Sequence, residues 1–274
     1  MNYWNDKKAH KKEAVSHTYN ESICHKDDIS YAINNSVIYN EYYKFNDISH
    51  TNLNCSVILL KTDSVSAIRT MSKESNYIVQ AGKTNMTVLN FASYKNPGGM
   101  YIVGSSAQEE SLCAESYLYN VLSDVKFVPY YRYNCSHSNS ALYLNRAIMT
   151  PFVLFNSAYR CNVLTCAAPN YTAAHKYYEV TENANYEALC SRIKFVLKCC
   201  ADSRSDILIL GAYGCGVFGQ DARCVAKIFK EYLENEFKNA FQKVIFAIPD
   251  DKNYQAFSDV FESQRMVDFD EQFG

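Results

Sequence analysis

From Cys55 onward the chain alternates short apolar, β-rich runs with amphipathic stretches, and this alternation restricts the fold more than any other feature. The runs are Ser56–Lys61 (SVILLK), Met86–Phe91 (MTVLNF), Asn162–Ala167 (NVLTCA), Asp206–Leu210 (DILIL) and Lys243–Ile248 (KVIFAI). Continuous apolar runs of this length read as strands buried on both faces. Helices are expected at Ser64–Met71, Ala107–Leu122, Glu182–Cys200, Ala222–Phe237 and Tyr254–Phe261, with shorter strands at Ala141–Asn145 and Phe152–Phe155. The pattern predicts an α/β fold whose parallel or mixed sheet is covered by helices on both sides.

Residues 1–53 differ. They are polar and irregular, with helices expected around Lys8–Asn20 and Ser36–Lys44 and no strong strand. They read as an N-terminal helical accessory segment, and residues 54–274 as the main domain.

A length of 274 residues at 48% hydrophobic suits one large domain. The net charge is −2, so no basic excess marks a nucleic-acid groove or a membrane-surface role. No apolar run reaches the roughly 18 residues of a spanning helix, and the opening MNYWNDKKAHKKEA lacks the apolar core of a signal peptide. The 11 cysteines include no CxxC pair, which favours free thiols in a reducing compartment over a zinc site. The expectation is an intracellular, cytoplasmic protein, with the nucleus left open. No metal or redox cofactor is implied.

Two loops carry the chemistry. In NFASYKNPGGMYIVGSSAQEE, residues 90–110, Gly98 and Gly99 leave a strand and precede a helix that opens on Gln108, Glu109 and Glu110. Glycines there allow positive φ and close backbone approach, and the freed N–H groups can bind an anion; a tight turn after Asn96-Pro97 is the plain alternative. Ser106 with Glu109 three residues on spells a capping box. Glu110 lies about 160° around the helix from Leu112 and so faces solvent or a cleft.

In the second loop, LGAYGCGVFGQDARC, four of the nine glycines fall between Gly211 and Gly219. A strand, a glycine loop and a helix start make a ready anion site. Gly214, Gly216 and Gly219 also match GxGxxG, but a dinucleotide fingerprint belongs to the first βα turn, and here only one clear strand remains before the chain ends.

Together these motifs resemble the macrodomain superfamily, and within it the bacterial-type poly(ADP-ribose) glycohydrolases. That family's signature is three glycines, six to eight residues, then Gln-Glu-Glu. Here Gly98-Gly99-Met100 is followed by seven residues and Gln108-Glu109-Glu110. LGAYGCGVFGQD resembles the family's second diphosphate loop and VLTCAAPNY, residues 163–171, the strand end between the two. The similarity runs from about residue 55 to 262, and Met100 departs from it by replacing the third glycine.

The resemblance implies a macrodomain-like three-layer α/β/α sandwich with a central mixed sheet and an N-terminal helical extension. It implies cleavage of ribose–ribose bonds in ADP-ribose polymers carried on modified proteins, with Glu110 as general acid. By the same resemblance Glu109 and Asn90 orient ribose hydroxyls. Gly98, Gly99, Gly214, Gly216 and Gly219 hold the diphosphate, and Gln108, Val217 and Phe218 complete the substrate site. Asp63, after the first strand, is a weak candidate for adenine; an Asp in that place more often caps the next helix. A non-catalytic ADP-ribose reader, and a hydrolase of single ADP-ribose modifications, share the fold and stay open.

Overall fold

The computed structural model describes residues 3–48, 54–74 and 85–261. The boundary expected at residue 53 lies outside the described residues. The chain opens with helices α1 (Tyr3–Cys24) and α2 (Lys26–Asn35) and a short strand β1 (Val37–Tyr39). It continues through β2 (Ser56–Leu60), α3 (Ser64–Glu74), β3 (Met86–Phe91), α4 (Gln108–Ala114), α5 (Leu118–Leu122) and α6 (Val128–Ser136). Then come β4 (Ala147–Phe155), β5 (Tyr159–Cys166), α7 (Tyr171–Tyr178), α8 (Glu182–Asp202), β6 (Ile207–Leu210), α9 (Ala222–Glu234) and β7 (Lys243–Ala247). A tenth helix, α10, spans 251–261.

The seven strands form one mixed sheet in the order β1-β4-β5-β3-β6-β7-β2. β5, β3, β6, β7 and β2 run parallel, while β4 is antiparallel to both its neighbours. Side chains alternate across the sheet with the period of two that strands impose. Leu208, Leu210, Val244 and Phe246 join one core with α8, α9 and α10. Ile207, Ile209, Ile245 and Val88 join the other with α1 to α6. The result is the three-layer α/β/α arrangement expected from the alternating runs. Helix starts are fixed locally: Thr181, Asp221 and Asn170 each accept from a backbone N–H three residues on, at 3.2, 2.8 and 3.0 Å.

Three stretches depart from the sequence reading. Ser36–Lys44 is not a helix: Ser36 turns extended, and Val37–Tyr39 pairs antiparallel with β4, as a β-branched and aromatic run prefers. The helix expected over Ala107–Leu122 breaks into α4 and α5, because Ser116 Oγ bonds the Leu112 carbonyl and accepts from Leu118 N–H, diverting the backbone ladder. Ala141–Asn145 is a loop rather than a strand; Ala141 and Tyr143 sit at φ 65° and 61°, outside β geometry. The helices α2, α6 and α7 had no counterpart in the sequence reading.

Candidate active site

β3 lies between β5 and β6 and runs parallel to both, so the loops that follow all three strands open at one edge of the sheet. Open α/β sheets bind ligands at that carboxyl edge. A cavity of about 500 Å³ lies there, between the loop after β3 and the loop after β6. Glu109, Glu110, Gly99 and Met100 line one side, and Gly214, Gly216, Val217 and Phe218 the other. The two motifs read from the sequence therefore meet across one space.

The carboxylates are held by backbone. Glu110 Oε1 accepts from Met100 N–H at 2.8 Å and Oε2 from Ala107 N–H at 3.1 Å. Glu109 Oε2 accepts from Ser93 N–H at 2.6 Å, and Oε1 from the Asn90 amide at 3.2 Å. Both acids are buried, at 3% exposure for Glu109 and 7% for Glu110. Burial, with the Glu110 charge adding to it, pushes Glu109 up to about 8, against the pull of its bonds from Ser93, Asn90 and Gly98.

The cap differs from the expected one. Helix α4 starts one residue later, with Ala107 at the cap, and it is Glu110 rather than Glu109 that reaches back to the cap N–H. Ala107 has no oxygen to close the other half of a box. Glu110 also does not face open solvent, since the glycine loop folds over the first turn. It borders cavities instead.

The remaining residues divide by what they touch. Gln108 is fully committed to scaffold: its oxygen accepts from Phe91 N–H at 2.8 Å and its amide donates to the Leu89 carbonyl and Ser64 Oγ. It pins α4 to β3 and α3. Asn90 is wholly buried, donating to Glu109 and to Thr165 Oγ1, so it reaches the cavity through Glu109. A Cβ on Gly98 would lie 2.6 Å from Tyr119, and one on Gly214 2.8 Å from Ala168. One on Gly219 would strike Thr172. Of the GxGxxG glycines, only Gly216 faces open space. Among the described residues, the N–H groups of Gly216, Val217 and Phe218 meet no protein acceptor, and Val217 is 88% exposed. Such a run of free donors can bind an anion.

Met100, the departure from three glycines, has φ −110°, which any residue adopts, and its side chain is half exposed at the cavity. Asp63 caps α3: its oxygens accept from Ser66 N–H at 2.9 Å and Ser66 Oγ at 2.6 Å.

Sequence reasoning missed several cavity residues. Tyr94 and Tyr143 stack at 4.2 Å, and Tyr143 meets Phe218 edge-on at 6.1 Å, so an aromatic wall closes the side towards β5. Among the described residues Lys95 is the one basic residue of the lining. Buried Arg192 holds the Tyr143 loop by bonding Asn145 Oδ1 and the Leu142 and Ala167 carbonyls. The only sequence signal for Tyr143 was an apolar pattern that also fits a strand.

A model of the family described as microbial-type PARG, catalytic domain, matches residues 6–157. Among solved structures, the chain is similar to poly(ADP-ribose) glycohydrolase from Thermomonospora curvata, with 25% identity, a TM-score of 0.81, and coverage of 92% of this chain and 99% of that one. The same enzyme bound to the inhibitor ADP-HPD superposes with a TM-score of 0.77 at the same identity and coverage. The enzyme from Deinococcus radiodurans in complex with ADP-ribose is 29% identical, with a TM-score of 0.72, covering 86% of this chain and 98% of that one. No curated protein matches the chain in sequence.

Proposed function

Because the chain belongs to the family of microbial-type PARG catalytic domains, we infer that it is a poly(ADP-ribose) glycohydrolase, a glycosidase-type hydrolase that cuts ribose–ribose bonds of ADP-ribose polymers and releases ADP-ribose. The observation that carries this reading is the carboxylate pair at the start of α4, buried under one glycine loop and facing a second across the cavity.

Glu110 is the general acid. It gives a proton to the leaving ribose oxygen as the anomeric C–O bond breaks, leaving an oxocarbenium-like sugar. Water then adds to that carbon and returns a proton to Glu110. One carboxylate acting twice differs from the usual pair of acids flanking a glycosidic bond. Its two N–H clamps fix the oxygens in place, so little reorganisation is needed at the moment of transfer. Glu109, protonated up to about pH 8, holds the ribose hydroxyls, and Asn90 holds Glu109.

The diphosphate sits on the free N–H groups of Gly216, Val217 and Phe218, with Lys95 facing it. Phe218 and Tyr143 wall the ribose. The adenine end enters a neighbouring cavity of about 350 Å³ that shares Phe91, Ala107, Gln108 and Ala212 with the first and reaches Asp63 and Asn253. The polymer is carried on modified proteins.

Incubation with ADP-ribose polymer and, separately, with singly modified protein tests the substrate class. Free ADP-ribose from the polymer is expected; release from the singly modified protein alone would make this a single-unit hydrolase.

A further inference from the structure

Arg192 of α8 is only 1% exposed. Its guanidinium donates to Asn145 Oδ1 at 2.8 Å, to the Leu142 carbonyl at 3.4 Å and to the Ala167 carbonyl. All three partners are neutral. Arg146, Arg160 and Arg223 pair with Glu41, Asp28 and Asp259. Among the described residues Arg192 pairs with no carboxylate. A guanidinium keeps its charge in a protein. Burying it without a counter-ion is costly, and charge-assisted bonds to carbonyls offset that cost only in part.

The charge stands behind one wall of the ligand cavity. Leu142 and Ala167, whose carbonyls hold it, adjoin Tyr143 and Ala168 of the lining. It acts on the hydroxyls of Tyr94 and Tyr143 in that wall, and on that of Tyr213, next to Gly214 in the second glycine loop. These phenols, and the Cys166 thiol that feels the same charge, are pushed up by burial and stay neutral. The acids of the cavity, Glu109 and Glu110, lie across it under the first glycine loop, with their oxygens on backbone N–H groups and the Asn90 amide. The wall therefore carries a positive charge that no neighbouring acid neutralises.

We propose that Arg192 is the buried counter-charge of the ligand's diphosphate, acting through the Tyr143–Ala168 wall without touching a ligand atom. The inference rests on the ADP-ribose reading and deepens it, by naming a source of positive charge for an anionic ligand in a chain whose net charge is −2. The free N–H groups of Gly216, Val217 and Phe218 fix where the diphosphate sits, and Arg192 favours its charge. Attraction through protein is stronger than through water and is little screened by salt. The diphosphate carries the same charge before and during bond cleavage, so the gain appears in affinity rather than in kcat.

Two variants of the full chain separate charge from scaffolding. Arg192→Gln and Arg192→Lys both lose the fork that holds the Leu142–Asn145 loop, and only Arg192→Lys keeps the charge. Calorimetry compares ADP-ribose with an analogue in which a neutral methylene bis-sulfone replaces the diphosphate. Arg192→Gln is expected to weaken ADP-ribose about tenfold and the neutral analogue less than about twofold, while Arg192→Lys holds ADP-ribose within about threefold of wild type. On polymer, Arg192→Gln is expected to raise KM about tenfold with kcat little changed. Equal losses for both ligands, or equal losses in both variants, would make Arg192 a loop staple and overturn the proposal. So would an Arg192→Gln that binds ADP-ribose as wild type does. A further arm uses wild type alone and stands even where Arg192→Gln fails to fold. Its preference for ADP-ribose over the neutral analogue is expected to fall less than about threefold from low to high salt. A preference that collapses with salt would put the charge at the surface, on Lys95, and overturn the proposal while leaving the hydrolase reading intact. Failure of wild type to bind ADP-ribose sinks that reading, and the proposal with it.

Discussion

A Cβ added to Gly99 would lie 2.6 Å from Oε1 of Glu110, and the same atom would lie 2.9 Å from Oε2 of Glu109. The bare Cα of Gly99, at φ 61°, is what allows both carboxylates to close against the loop. Gly99→Ala combines a strained backbone with a clash against two buried acids. It is expected to cost about 1–3 kcal/mol of stability and to reduce turnover further by displacing Glu110. Gly216→Ala meets open space and is expected to change stability by less than about 0.5 kcal/mol. Thermal melts of the two variants, read with their turnover, check the contrast; equal effects would contradict it.

Glu109 makes stability depend on pH. Its folded pKa is about 8 against an ordinary 4.5, so between those values the folded state keeps a proton that the unfolded state loses. The contribution is full below about pH 4.5 and is lost as pH rises through about 8. Glu109→Gln cannot titrate, and its stability is expected to fall less than the wild type's between about pH 5 and 8. Urea midpoints across that range supply the measurement, and parallel slopes would show that Glu109 is not the group responsible.

Met100→Gly restores the third glycine of the family signature. The Met100 contact to Glu110 comes from the backbone, so it survives the change. Binding of ADP-ribose and turnover are expected to be retained or improved, with a stability loss of at most about 1 kcal/mol from added unfolded-state freedom. A large loss of both binding and turnover would mean that the exposed Met100 side chain makes a contact with substrate.

ADP-ribose is expected to raise the melting temperature, since it would bind the folded state alone. AMP and NAD are expected to do less, because AMP lacks the second phosphate and distal ribose and NAD carries nicotinamide on that ribose. NAD stabilising the protein as strongly as ADP-ribose would favour a dinucleotide site at Gly214–Gly219.

The sheet was legible because β3, β5, β6 and β7 are buried on both faces, and continuous apolar runs such as DILIL carry that burial in their composition. The glycine loops were legible because glycine is rarely so concentrated without a backbone reason. Gly98, Gly99, Gly214 and Gly219 do take positive φ. Spacing alone could not distinguish Glu109 from Glu110, since the helix register shifted by one when Ala107 took the cap. Val37–Tyr39 was hidden because three residues carry no period, and its strand character comes from pairing with β4. Tyr143 and the α1 contacts were hidden for a similar reason: only the tertiary arrangement brings residues 10–17 against residues 105–111.

Release of ADP-ribose from polymer by wild type and Glu110→Gln, beside calorimetric binding of ADP-ribose to both, tests whether Glu110 supplies the proton. Glutamine has one carbonyl oxygen for two N–H clamps, so a thermal melt must accompany the comparison. Turnover is expected to fall by about 10² or more while affinity changes little, and turnover of Glu109→Gln, which leaves the acid in place, is expected to fall less. Wild-type turnover by Glu110→Gln would show that another group supplies the proton, and a wild type that binds ADP-ribose yet releases none from polymer would be a reader rather than a hydrolase.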